Sequence, residues 1–196
     1  MVLSTTLASA EDGRATRALA SSRPVATGAV LLALACALGL LEASLPPLPV
    51  TPWLRFGFSN IAVVVALALG GASMAAVVGI GRVVLVSLAT GAIFTPVFAM
   101  AATGAAFSVT TMWVVSRVPG LSPVGWSSAG SAAHVIGQFL AAALLLGSPG
   151  VVVLAPPSVA VAVVFGAIVG SLAQSIISRV QNEWTRERGR GGTTPR

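Results

Sequence analysis

Four side chains interrupt runs of apolar sequence in positions where they could recognise a ligand: Asn60, Arg82, His134 and Gln138. An amide, a guanidinium, an imidazole and a second amide are hydrogen-bonding groups, and together they suit an anionic or strongly polar group better than they suit bond-breaking chemistry. Arg82 is the most demanding of them. Uncharged residues flank it on both sides, and the next charge along the chain is Arg117. At about 1.5 Å per residue it lies about 15 Å into a helix beginning near Ala72, close to the middle of a hydrocarbon core about 30 Å thick. An arginine there costs about 2.5–3.5 kcal/mol on insertion scales, so it needs partners. His134 and Gln138 are four residues apart and share one helix face. The sequence therefore predicts a polar cavity formed by the second, third and fifth spans, with Arg82 facing an anionic or strongly polar ligand. In the competing reading, backbone carbonyls or Gln138 satisfy Arg82 and the arginine only holds helices together.

The same inventory excludes several chemistries. The acidic residues are Glu11, Asp12, Glu42, Glu183 and Glu187, and only Glu42 lies away from the chain ends. With one aspartate, no aspartate-rich motif can hold magnesium and a diphosphate, so prenyl transfer by this chain alone is excluded. There is no Cys/His metal cluster, P-loop or Rossmann glycine pattern. Cys36 is a single cysteine inside an apolar run and reads as packing. Gly71-Ala72-Ser73-Met74 and His134 are a partial echo of an intramembrane serine protease, but Met74 replaces the second glycine of that turn. No catalytic residue, metal or cofactor is expected.

The elements that would position these residues follow from composition. Of 196 residues, 56% are hydrophobic and 8% are charged, whereas a soluble domain carries roughly 25% charged residues. Long apolar runs without period-two alternation point to an all-α integral membrane protein rather than a barrel. The basic residues are all arginine and gather at the two ends, which suits the positive-inside rule better than nucleic-acid binding. Residues 1–23 read as a flexible cytoplasmic tail, 24–179 as a six-helix transmembrane domain, and 180–196 as a basic disordered tail. The expected spans are about 24–45, 53–69, 72–93, 97–116, 126–146 and 158–178. Gly70-Gly71, the FTP turn (Phe94 to Pro96), the loop from Pro119 to Gly125 and the GSPG turn (Gly147 to Gly150) punctuate them. The 46–55 and 147–157 segments also admit a count of five or seven. Six spans put both termini in the cytoplasm of a multi-pass protein, with Arg55 as the exception on the outer side. Ala29, Ala33 and Ala37 make a small-residue stripe on the first helix, and Gly166 and Gly170 have GxxxG spacing; both patterns allow helices to approach closely.

Three segments taken in order carry a family resemblance: LPPLPVTPWLRFGFSNIAVVVAL (45–67), GRVVLVSLATGAIFTPVF (81–98) and AAHVIGQFLAAALLLG (132–147). The chain resembles, over roughly residues 28 to 178, the bacterial Gx transporter family, often labelled heptaprenyl diphosphate synthase component I. The matching motif positions are Arg55, Gly57, Asn60, Arg82, Gly91, Phe94, Pro96, His134, Gly137 and Gln138. That family is similar to the S components of energy-coupling factor transporters. The resemblance implies a six-helix S-component-like fold in the bacterial cytoplasmic (inner) membrane. It also implies a first helix packed through Ala29, Ala33 and Ala37 on an energy-coupling factor module, a transmembrane coupling subunit with its ATPases. The function it implies is a non-enzymatic subunit taking up a small ligand, anionic or polar-headed, through Asn60, Arg82, Phe94, His134, Gln138 and Arg55. The alternative is a non-catalytic membrane partner of isoprenoid or quinone metabolism that binds a prenylated ligand.

Overall fold

Apolar runs with no polar face must form helices whose backbone groups pair internally, and the computed structural model consists of helices and the turns that join them, with no strand among its described residues. It describes the backbone of residues 2–45 and 57–191 and the side chains of 23–45 and 57–186. The elements are α1 (Val2–Ser44), α2 (Asn60–Ala89), α3 (Pro96–Val115), α4 (Pro123–Leu146), a short 3₁₀ turn (Pro149–Leu154) and α5 (Ala155–Gly191). Among the described residues, five helical segments are long and apolar enough to cross a membrane.

Three of the expected helix boundaries move. The first helix does not begin at Pro24. α1 runs from Val2 with Pro24 inside it, where the ring costs one bond to the carbonyl four residues back but does not stop the helix. Trp53, the expected start of the second span, lies outside the described residues. Residues 57–59 form a turn, with Asn60 N–H donating to Gly57 O at 2.9 Å, and the helix starts at Asn60. α5 likewise continues as helix to Gly191, past the expected end of the last span. At the other junctions the punctuation works as expected. Thr95 caps α3 by accepting from Phe98 N–H, with Pro96 in its first turn, and Gly147 closes α4 in the left-handed conformation.

α2 is one hydrogen-bonded element but two arms, 60–70 and 72–89. Gly71 between them has φ 70° and ψ −163°, a region essentially closed to residues with a Cβ. The arms lie side by side. A Cβ added to Gly79 would sit 3.6 Å from Val63 Cγ1, although sixteen residues of straight helix span about 24 Å. Gly70-Gly71 thus reverses the chain, as the sequence suggested. The first arm, at about 16 Å, is shorter than a hydrocarbon core; the second, at about 27 Å, nearly matches one.

That short arm is the centre of the fold. Ala62 to Leu67 are six consecutive buried residues, which requires neighbours on every side. Leu31 and Ala35 of α1, Val109 and Met112 of α3, and Ala173 and Ile177 of α5 complete the same cluster. α1 runs parallel to the second arm, with Gly28 beside Met74 and Gly39 beside Arg82 and Val86. α3 and α4 are antiparallel, as are α4 and α5. The GxxxG pair sets the last contact: a Cβ on Gly166 would meet Ser128 Cα at 2.8 Å, and one on Gly170 would meet Val124 Cα at 2.6 Å.

The hairpin gives a direct prediction. Gly71→Ala puts a Cβ into the glycine-only region and should cost about 1–3 kcal/mol. Gly28→Ala, whose nearest neighbour is a Met74 side-chain atom at 3.8 Å, should be close to neutral. Unfolding of the two variants in detergent tests this, and equal stabilities would refute the strained reversal.

Candidate functional site

An arm buried on all sides leaves its N-terminus in an apolar setting, where unpaired N–H groups are costly. Ser59 is the residue before the arm and has no exposure. Its own hydroxyl does not cap the helix. Instead Glu42, near the end of α1 and 7% exposed, reaches across. Its Oε1 accepts from Ser59 N–H at 3.1 Å, and its Oε2 accepts from the Ser59 hydroxyl at 3.3 Å. A carboxyl group accepting at both oxygens is behaving as a carboxylate, and a negative charge suits the positive end of a helix dipole.

The Ser59 oxygen also accepts a hydrogen bond from Arg82 Nη1. One hydroxyl therefore donates to a carboxylate and accepts from a guanidinium, and so connects two opposite charges. Arg82 stands about 16 Å from the Gly71 reversal and about 10 Å short of the end of its arm. The penalty of placing a guanidinium among apolar helices is offset by this chain of contacts, with Glu42 as its acidic member. Sequence reasoning placed Glu42 at the far end of the first helix and gave it no role, and it passed over Ser59 altogether. The signal was available: Glu42 is the one acidic residue outside the chain ends.

The other expected site residues fall in three places. Asn60 follows Ser59 directly and is half-buried in the first turn of α2. His134 and Gln138 share a face, as their spacing requires, and that face packs on α3. A Cβ on Gly104 would lie 2.9 Å from Gln138 Cγ and 3.0 Å from His134 Cε1. His134 Nδ1 is buried in that seam, with no hydrogen-bond partner among the described residues. Phe94 is 90% exposed with φ 64° in the turn between α2 and α3, so it stands at the tip of that turn and not on a cavity wall. Arg55 lies outside the described residues. Ala29, Ala33 and Ala37 are all exposed on α1, and Ala29 and Ala33 line a groove shared with Leu85, Val86 and Ala89 of α2.

Among the described residues no group of three His, Cys, Asp or Glu side chains could hold a metal ion. Ser73 lies by the hairpin reversal, whereas His134 packs against Gly104 about 16 Å along α4 from Pro123. The arrangement is suited to holding a polar group, with no nucleophile–base pair assembled in it.

The coupling of the charges can be measured. Glu42→Gln or Arg82→Gln alone leaves its partner without the opposite charge across Ser59 and should destabilise the fold by about 1–3 kcal/mol. The double variant should be well short of the sum of the two losses, since it removes both charges together. A double-mutant cycle by unfolding in detergent reads the coupling, and additive effects would show that the two charges do not interact.

A search of known proteins yields one informative match. The family model for heptaprenyl diphosphate synthase component I matches residues 31–176. No curated protein and no solved structure matches the chain. The matched region runs from the middle of α1 to α5 and contains Glu42, Ser59, Asn60, Arg82, His134 and Gln138. The chain, an integral membrane protein built on this buried arm, belongs to the heptaprenyl diphosphate synthase component I family.

Proposed function

We propose that the chain is a non-enzymatic, multi-pass membrane subunit that binds a small anionic or polar-headed ligand and carries it across the bacterial inner membrane. The supporting observation is the buried Glu42–Ser59–Arg82 chain beside Asn60. Polar groups of this cost inside apolar helices mark ligand or ion sites by default. The alternating directions of α1, the two arms of α2, α3, α4 and α5 fit six passages with both termini on one side, and the arginines gathered near those termini fit a cytoplasmic placement. In this reading the exposed Ala29, Ala33 and Ala37 stripe meets a transmembrane coupling subunit of an energy-coupling factor module.

The family's description favours a second reading, in which the chain is a membrane partner in a heptaprenyl diphosphate synthase system. Its single aspartate, Asp12, leaves the magnesium–diphosphate chemistry to another subunit. This chain would then supply a membrane anchor or a lipid-binding surface.

One experiment separates the two. The protein is purified in mild detergent and denatured, and the released small molecules are identified by mass spectrometry. The first reading expects a water-soluble polar molecule at near-unit stoichiometry, lost from the Glu42→Gln/Arg82→Gln double variant. A prenylated molecule retained equally by both proteins would support the second reading and remove the first.

A further inference from the structure

The end of the fold opposite Glu42 holds a second feature that the proposed ligand site does not use. A cavity of about 1070 Å³ opens between the start of the apolar part of α1, the α2 reversal and α5. Pockets that enclose small ligands run to about 1,000 Å³, so this one has room for a sizeable molecule. Its wall changes character along its length. Arg23 stands at one end, the half-exposed Trp184 of α5 also lines the cavity, and Gly28, Leu32 and Val77 line the part further along α1. From Arg23 to Leu32 is about 13 Å of helix. The cavity is therefore polar and cationic where the apolar part of α1 begins, and apolar further along.

Among the described residues the one ion pair joins Glu183 to Arg186 on α5 at 3.3 Å and does not involve Arg23. A soluble anion would use Arg23 but not the apolar wall, and a neutral lipid would use the wall but not Arg23. An amphiphile with an anionic head satisfies both. Trp184 is the residue type that marks the boundary between acyl chains and head groups, and basic pockets between membrane helices take anionic lipid heads.

We propose that this cavity binds one anionic phospholipid, with its phosphate at Arg23 and an acyl chain lying along Gly28, Leu32 and Val77. The site is about 28 Å along α1 from Glu42 and stands whether or not the polar ligand site does.

The full-length protein, delipidated in detergent, is placed in nanodiscs of equal phosphatidylglycerol and phosphatidylcholine, released, and weighed intact by native mass spectrometry. The wild type should retain one phosphatidylglycerol in about fivefold preference over phosphatidylcholine, the worth of one arginine near a lipid head. Arg23→Gln should abolish that preference, and Arg23→Lys should keep it. Val77→Trp, at a position 60% exposed, should lower retention of both lipids by filling the apolar wall, with helical content unchanged by circular dichroism. Equal retention of the two lipids by the wild type, preference surviving in Arg23→Gln, or a bound second copy of the chain in place of lipid would each overturn the proposal.

Discussion

The fold depends on how a helix can begin inside an apolar interior. The first arm of α2 is enclosed on all sides, so the backbone N–H groups of its first turn cannot turn to water. The carboxylate of Glu42 accepts from the N–H of Ser59 and from its hydroxyl, and it does so from a different helix. Capping side chains usually belong to the helix they cap or lie immediately before it. Here the cap arrives from seventeen residues away, and so it also fixes where α1 stands relative to the central arm. A buried carboxylate is itself expensive, and the guanidinium of Arg82, reached through the same hydroxyl, is the opposite charge that makes it tolerable. One serine thus closes three accounts: a helix end, a buried acid and a buried base.

The geometry around this contact follows from two kinds of glycine. Gly71 reverses the chain, which brings Arg82 back to the level of Ser59; a continuous helix would have carried it more than 30 Å away. Gly104, Gly137, Gly166 and Gly170 let α3, α4 and α5 approach backbone to backbone. Apolar side chains gain little from leaving lipid for protein, so membrane helices gain stability from close packing and polar contacts. The small residues close the bundle, and the Glu42–Ser59–Arg82 chain sets its register.

Much of this was legible in the residues. The membrane character, the chain breaks at Gly70-Gly71 and Phe94 to Pro96, and the shared face of His134 and Gln138 all follow from local chemistry, and local chemistry is what a sequence displays. The partner of Arg82 was not legible, for a physical reason. Depth along a helix can be estimated from residue counts, and on that measure Gln138 was as good a candidate as any. Which helices face each other is decided by packing, and packing put Gln138 against Gly104 and Ser59 against Arg82. Charge balance would have narrowed the choice: an arginine in an apolar interior needs an acid, and Glu42 alone was placed to supply it. The start of the second helix was missed because hydrophobicity does not reveal the turn before it, where Asn60 N–H donates to Gly57 O and Ile61 N–H to Phe58 O.

The internal pairing changes what ligand recognition must mean at this site under the proposed reading. An unpaired buried arginine would attract any anion, and the ligand's charge would decide affinity. With Glu42 in place the local charge sums to zero before a ligand arrives. An anionic group approaching Arg82 then meets the repulsion of Glu42 as well as the attraction of the guanidinium. A neutral polar head faces no such competition and can add hydrogen bonds beside Asn60. Selectivity at such a site comes from the hydrogen-bonding pattern of the head group more than from its charge, because charge is the one property the fold has already balanced.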